Sequence, residues 1–369
     1  MTRYDVTAEE LRAEPRTWLI TGVAGFIGSN LLERLLTLGQ YVVGLDNFST
    51  GHRRNLDDVL RRASGAGGQL HFIEGDVRDI ATCRAACTGV DIVLHQAALG
   101  SVPRSIDDPL TSHASNVDGF INMLVAAGDA RVRRFVFASS SAVYGDHAEL
   151  PKREDRTGRL LSPYAATKMI NELYAGVFQR VYGLQCIGLR YFNVFGRRQD
   201  PHGPYAAVIP RWVANLLDGE PCTIFGDGAT SRDFCYIDNV VQANILAATV
   251  PDEAATDRVY NVACGERTTL NQLFAMIRAG LAEHRPELAE VSPLNEGFRP
   301  GDIRHSLADT TRIEQRLGYV PTHTVAQGIG EALSWYVTSH GRTLAPAPSL
   351  RATSTFPAYS APEPVARAV

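Results

Sequence analysis

The sequence predicts an α/β fold, a Rossmann-type doubly wound parallel sheet with a smaller α/β substrate-binding lobe. Three observations point there. Short apolar, β-branched runs alternate with stretches long enough for a helix; the glycines Gly22, Gly25 and Gly28 of "TGVAGFIG" follow the first run; and Asp46 ends the second. A chain of 369 residues with 45% apolar content can bury a large core, enough for two domains or for one domain with a lobe.

The first strand, "TWLIT", leads into "TGVAGFIG", which opens the helix "SNLLERLLTLG". Its glycines stand where the chain must turn tightly, approach a pyrophosphate and pack helix on sheet, and the helix N-terminus faces the phosphates. Asp46 closes the second strand, "YVVGLD", about 20 residues on, where a carboxylate accepts the ribose hydroxyls and repels a 2′-phosphate. NAD is therefore expected over NADP, despite Arg53 and Arg54 nearby. After the third strand, "LHFIEGD", Asp76 and Val77 can flank adenine. After the fourth, "DIVLHQAA", residues Gln96, Ala97 and Ala98 lie alongside the cofactor. Ordinary strand-end loops are the competing reading at these positions.

The fifth strand, "RRFVFASSS", ends in Ser139, Ser140 and Ser141 at the sheet's carboxyl edge, where a hydroxyl can hydrogen-bond a substrate. Strand-end serines equally serve as caps or turns. In "SPYAATK", Ser162 is a favoured N-cap and Pro163 suits the first helical position, so Tyr164 and Lys168 share a face one turn apart. The apolar stripe Ile170, Leu173, Tyr174, Val177 and Phe178 describes a helix packed along one side. Alone, this is an amphipathic helix whose lysine passes an aromatic ring. Beside a nicotinamide it is an acid–base pair: a phenol must fall ~3 units, ~4 kcal/mol, to act near neutrality. One cation about 5 Å away at an effective dielectric near 20 supplies roughly 3 kcal/mol.

Beyond the sixth strand, "CIGLRYFNVFG", the pattern loosens into "RRQDPHGPYAAVIPRW", and "EGFRPGDIRHS" is a second Gly/Pro-punctuated loop, as expected of a lobe closing over a ligand. Between them "DFCYIDNVVQANILAAT" and "VYNVA" return a helix and a strand to the main sheet. The expected division is 17–195 plus 234–263 for the NAD-binding domain, 196–233 plus 264–341 for a substrate-binding lobe, and a Pro-, Ala- and Ser-rich tail, 342–369, left disordered. No internal repeat is present.

Composition narrows the partners. With 36 basic against 40 acidic residues the formal charge is −4, so no basic field invites nucleic acid. The charged start and the lack of an apolar run near 18 residues argue against secretion or membrane insertion, and a cytoplasmic protein is expected. Six cysteines without a CxxC pair argue against a metal.

The motifs "TGVAGFIG", "LDNFSTG", "GDVRD", "HQAA", "SSSAVYG", "SPYAATK" and "RYFNVFG" together resemble the extended short-chain dehydrogenase/reductase family, from Thr17 to about Gly341. Within it the chain is similar to the UDP-hexose 4-epimerases, above all the branch acting on UDP-N-acetylglucosamine, through "HQAALGSVPRS", "FGRRQDP", "AAVIP" and "TSRDFCYIDN". The resemblance implies Tyr164 as base, Lys168 as its activator and Ser140 as hydroxyl partner, with Ser141 a near neighbour. It adds Phe26, Ile27, Asn47, Asn116 and Tyr191 to the cofactor set. Asn193 and Arg232, assisted by Arg299, would bind the pyrophosphate, while Val208 and Ile224 approach uridine. Gly100, Gln199 and Ser306 would line the sugar pocket with Ser141 and Asn193. Ser306 stands where relatives confined to non-acetylated UDP-hexoses carry tyrosine, and the Gln199 amide would meet the acetamide.

The implied activity is NAD-dependent inversion at carbon 4 through a 4-ketose, from UDP-N-acetylglucosamine to its galacto epimer, in a homodimer serving polysaccharide synthesis. UDP-glucose and UDP-glucuronate are the alternative substrates, with Arg304 or Arg104 recruited to a glucuronate carboxylate; a non-catalytic nucleotide-binding regulator is remote. Related dehydratases and decarboxylases need an added acid or base where this chain has Ser141 and Ala142.

Overall fold

The computed structural model describes residues 1–202, 205–251, 255–256, 258–298 and 303–339. The expected tail and Arg299 lie outside them. The chain opens with helix α1, Arg3–Ala13, closed by a reciprocal cap in which the Thr2 hydroxyl accepts from the Asp5 N–H and the Asp5 carboxylate accepts from the Thr2 N–H. Only Thr7, Ala8 and Leu11 of it are buried, too sparse an apolar face for periodicity to reveal.

Seven parallel strands follow: β1 Thr17–Thr21, β2 Tyr41–Asp46, β3 Gln69–Glu74, β4 Ile92–His95, β5 Arg134–Ser140, β6 Cys186–Tyr191, and a last one at Arg258–Val262. Their spatial order is Arg258–Val262, β6, β5, β4, β1, β2, β3. Helices cover both faces, so β1, β4 and β6 are buried almost throughout and read as continuous apolar runs. The winding reverses between β1 and β4, and a crevice opens there at the carboxyl ends. Helix α2, Phe26–Thr37, connects β1 to β2.

Two strands are shorter than their apolar runs. "DIVLHQAA" stops at His95, freeing Gln96 to Ala98 for the crevice. "CIGLRYFNVFG" breaks after Tyr191: Asn193 takes a positive φ of 32°, and Val194–Phe195 leave the sheet to pair with Cys235–Tyr236. The break aims Asn193 away from the sheet.

The lobe packs helices Val208–Asp218 and Leu270–Ala282 edge to face through Trp212 and Phe274. Its strands are short pairs, Thr223–Phe225 with Leu294–Glu296 and Ser231–Arg232 with Thr268–Thr269. On helix Pro163–Tyr182 the expected stripe is only partly packed: Phe178 is buried, but Leu173 and Val177 are 62% and 43% exposed. Nothing else in the described chain covers that face. Among the described residues no helix is long and apolar enough to cross a membrane.

Candidate active site

At the end of β1, Gly22 turns with φ 68°, and a Cβ there would lie 2.9 Å from the Ala97 nitrogen. A Cβ on Gly28 would lie 2.1 Å from the Gly22 carbonyl oxygen, so only glycine lets α2 start this close to the turn. The α2 N-cap is Gly25, with no side-chain cap and no acidic residue in the first turn. Its first N–H groups thus face the crevice and suit an anion. Asp46 is fixed by two N–H donors, Ala24 to Oδ2 and Phe48 to Oδ1, each at 2.8 Å. Burial pushes its carboxyl up and those N–H bonds pull it back down. Next to it the Asn47 amide donates to Asp76 at 2.8 Å, and the Arg78 guanidinium holds the Asp76 carboxyl down to about 2.

These groups line a cavity of about 300 Å³ at the switch point. Every expected cofactor residue except Asn116 lines it, and Gly100 does as well. Asn116 sits one layer behind, its amide bracketing the Leu99 backbone, at 2.7 Å from the Leu99 N–H and 3.2 Å from its carbonyl, and donating to the Thr167 hydroxyl. It holds the wall instead of forming it. Sequence reading missed Ser49, Thr50, Gly51, Ser115 and Ala138, which also line the cavity together with the strand-end Ser139; the first three lay in plain view in "LDNFSTG".

The far end of the cavity carries Tyr164 and Lys168. The Ser162 hydroxyl caps their helix by accepting from the Ala165 N–H at 3.1 Å, and the Tyr164 N–H donates to Ser105 Oγ at 3.0 Å. Burial drives the pKa of the Tyr164 phenol up, and the neighbouring Ser140 hydroxyl draws it back in part. Lys168 Nζ donates to the Ala138 carbonyl at 2.8 Å and lies 5.9 Å from the Tyr164 ring centre. Burial lowers the ammonium to about 8. The lysine's attraction estimated from spacing alone is thus opposed by a desolvation cost that sequence does not display.

The three serines separate cleanly. Ser139 Oγ donates to Glu172 Oε1 at 2.5 Å, Ser140 faces Tyr164 and also accepts from the Ala142 N–H at 3.1 Å, and Ser141 opens a short 3₁₀ turn to Tyr144. Glu172 receives a two-pronged pair from Arg190, at 2.9 and 2.7 Å, with both side chains almost fully buried. Tyr164, Lys168 and Glu172 follow at four-residue intervals, so one helix face is anchored to β5 and β6. The missed Glu172 had that spacing as its signal.

The expected substrate residues come together in part. Asn193 Nδ2 donates to the Asp233 carbonyl at 2.9 Å, Arg232 Nη1 donates to the carbonyls of Ser231 and Arg304 at 3.0 and 3.3 Å, and the Ser306 N–H donates to the Ser231 carbonyl at 3.0 Å. None of Ser141, Asn193, Gln199, Val208, Ile224, Arg232 or Ser306 lines the cavity described above. Gln199 turns inward, its amide donating to Val194 O at 3.1 Å while Oε1 is buried without a partner. Val208 is half-buried at the start of its helix, and the Ile224 side chain is sealed in the core, with no surface to offer uridine. Arg304 pairs with Asp227 at 2.6 Å, whereas the Arg104 guanidinium lies 5.3 Å over the Tyr205 ring. Asp238, His323 and Glu331 bring ligand atoms within 4.8 Å of one another, but Arg197 already pairs with Asp238 and the Tyr236 hydroxyl with Glu331.

Residues 18–263 match the NAD dependent epimerase/dehydratase family. The UDP-glucose 4-epimerase of Mycolicibacterium smegmatis is 36% identical over 325 residues, 86% of this chain and 97% of that protein. UDP-glucuronate 4-epimerase 4 of Arabidopsis thaliana is 30% identical over 338 residues, 87% of this chain and 75% of that protein. Among solved structures, the UDP-N-acetylglucosamine 4-epimerase of Methanobrevibacter ruminantium M1, in complex with UDP-N-acetylmuramic acid, superposes with a TM-score of 0.80 at 36% identity, covering 88% of this chain and 99% of that one. The glycine cradle, the uncapped start of α2 and the buried Asp46 carboxylate fit the dinucleotide this family uses.

Proposed function

As the chain belongs to the NAD-dependent epimerase/dehydratase family, with NAD as its cofactor, we propose that it is a UDP-hexose 4-epimerase whose preferred pair is UDP-N-acetylglucosamine and UDP-N-acetylgalactosamine. The observation that carries the reading is the placement of Tyr164 and Lys168 together at the end of the NAD cleft, with the Ser140 hydroxyl close enough to draw the phenol's pKa down and no acid at Ser141 or Ala142. Bound NAD supplies a cationic nicotinamide that takes hydride from carbon 4 of the sugar and gives it back.

Tyr164 Oη removes the proton of the 4-hydroxyl and later returns it, Ser140 Oγ orients that hydroxyl, and the Lys168 ammonium stabilises the phenolate against the burial that opposes it. Inversion requires the 4-ketose to present its other face. The chain must therefore grip the nucleotide and hold the sugar loosely, and Arg232 and Asn193 are assigned to the pyrophosphate. Serine at position 306, next to the strand carrying Arg232, leaves room beside carbon 2 for an acetamide. The division into an NAD-binding domain, 17–195 plus 234–263, and a sugar-binding lobe, 196–233 plus 264–341, belongs to the same reading.

Arg104 favours a second substrate, UDP-glucuronate, since it has no carboxylate partner among the described residues while Arg304 does. The test is NMR of the product formed from UDP-N-acetylglucosamine, UDP-glucose and UDP-glucuronate without added NAD. The galacto epimer of the acetylated sugar is expected at the highest kcat/KM; a preference for glucuronate would transfer the assignment to Arg104.

The uncovered Leu173 and Val177, with the exposed Leu110 on the helix packed alongside, support pairing with a second copy across a two-fold axis. Val177→Glu should yield a monomer in sedimentation, and a wild-type monomer would refute the pairing.

A further inference from the structure

We propose that Asp233 is the positioning residue of the sugar-nucleotide subsite, the group that holds Asn193, Arg232 and the Ser306 loop in one arrangement; the inference rests on the UDP-hexose reading above. Asp233 follows Arg232 directly and is completely buried. Its Oδ1 accepts from the Cys264 N–H at 3.0 Å, and its Oδ2 accepts from the N–H groups of Gly265 and Ala308, each at 3.1 Å. Its own carbonyl accepts from Asn193 Nδ2 at 2.9 Å.

One residue thus ties four segments: the break after β6, the strand of Arg232, the turn after Val262, and the loop two residues past Ser306. All three side-chain bonds end on main-chain N–H groups outside the named helices and strands, and the loop carrying Ser306 is otherwise tied by isolated bridges, Ala308 with Lys152 and His305 with Ser231, instead of a regular ladder. The neighbouring bonds from Ser231 N to Arg304 O and from Ser306 N to Ser231 O, both 3.0 Å, then set the loop against Arg232. A carboxylate is required because it offers acceptors to three donors at once. A neutral acid or an amide would turn a hydrogen toward one of them.

Burial pushes the Asp233 carboxyl up to about 7, with Glu266 adding to the rise. Cys235, Cys264 and Tyr319 surround it, Arg232 adjoins it in the chain, and the nearby His305 meets Ser231 Oγ at 2.9 Å. The pyrophosphate diester of a UDP-sugar carries no group that titrates there.

The experiment is steady-state kinetics of the full-length, NAD-loaded protein with UDP-N-acetylglucosamine and UDP-glucose between pH 6 and 8.5, in wild type, Asp233→Asn and His305→Gln. At pH 8.5, Asp233→Asn should raise KM ~10- to 100-fold, the scale on which supporting groups act, while kcat stays within about threefold and bound NAD per chain is unchanged. Wild-type KM should climb as pH falls through 7. That climb should persist in His305→Gln and vanish in Asp233→Asn. A wild-type KM in Asp233→Asn overturns the proposal, since a purely structural carboxylate would lower Tm and leave the KM-to-kcat split alone. Should Asp233→Asn fail to fold, the other two proteins decide: a flat wild-type KM profile, or loss of the climb in His305→Gln, overturns it. A wild type inactive on every UDP-hexose would retire the functional reading and this proposal with it.

Discussion

In the cofactor cleft the groups that matter sit between Gly22 and Gly28 and at the ends of neighbouring strands, and most of them act through backbone. In the proposed sugar-nucleotide subsite, Asn193, Arg232 and Ser306 come from three distant segments and meet through loops pinned by one buried carboxylate. The first region is built by local conformation on a rigid parallel sheet; the second depends on long-range packing of short, irregular pieces. The proposed reaction, in which the cofactor is held through many turnovers while a sugar rotates, has use for both.

Where the two regions meet, the contrast is tested most severely. Tyr164→Phe should lower turnover by ~10² to 10⁴ while NAD stays bound, because the cleft is complete without the phenol's oxygen. Wild-type-like turnover with an intact fold would break the assignment of the base. Asp46→Ala acts within the cleft: removing the carboxylate relieves repulsion of a 2′-phosphate, and like-charge juxtaposition costs several kcal/mol. The affinity gap between NAD and NADP, measured by titration, should narrow at least about tenfold. Equal affinity in the wild type would show that Asp46 does not select.

Within the lobe, Ser306→Tyr should depress kcat/KM for UDP-N-acetylglucosamine relative to UDP-glucose by roughly 1 to 3 kcal/mol, the cost of overfilling a packed site. An unchanged ratio would remove Ser306 from the sugar pocket. The smallest effect expected is in the wild-type pH profile. Burial brings Lys168 down to about 8, so the ammonium is charged below that pH and neutral above it. Turnover should therefore fall a few-fold as pH rises through 8, as the cation supporting the phenolate is lost. Lys168→Arg, which stays charged, should shift that fall upward, and an unmoved limb would assign it to another group.

The structure also divides what was legible from what was not. Glycine turns, the strand-ending Asp46, the Ser-Pro cap and the four-residue Tyr164–Lys168 spacing are local facts whose geometry follows from backbone sterics and helical periodicity, and each is where the sequence places it. The parallel, doubly wound character of the sheet followed from repeated strand–helix units. The family resemblance places Asn116 with the cofactor, whereas its inward bonds to Leu99 are not visible in the sequence. Arg190 and Asp233 escaped notice because a buried charge is recognisable by the partners that satisfy it, and those lie 18 to 75 positions away along the chain. What sequence by itself determined was the set of chemical groups and the local turns that display them; which serine faces Tyr164, how far burial opposes the phenolate, and what holds the lobe's loops together were decided by tertiary packing, because desolvation and hydrogen-bond partnership depend on distances in space that one-dimensional spacing does not encode.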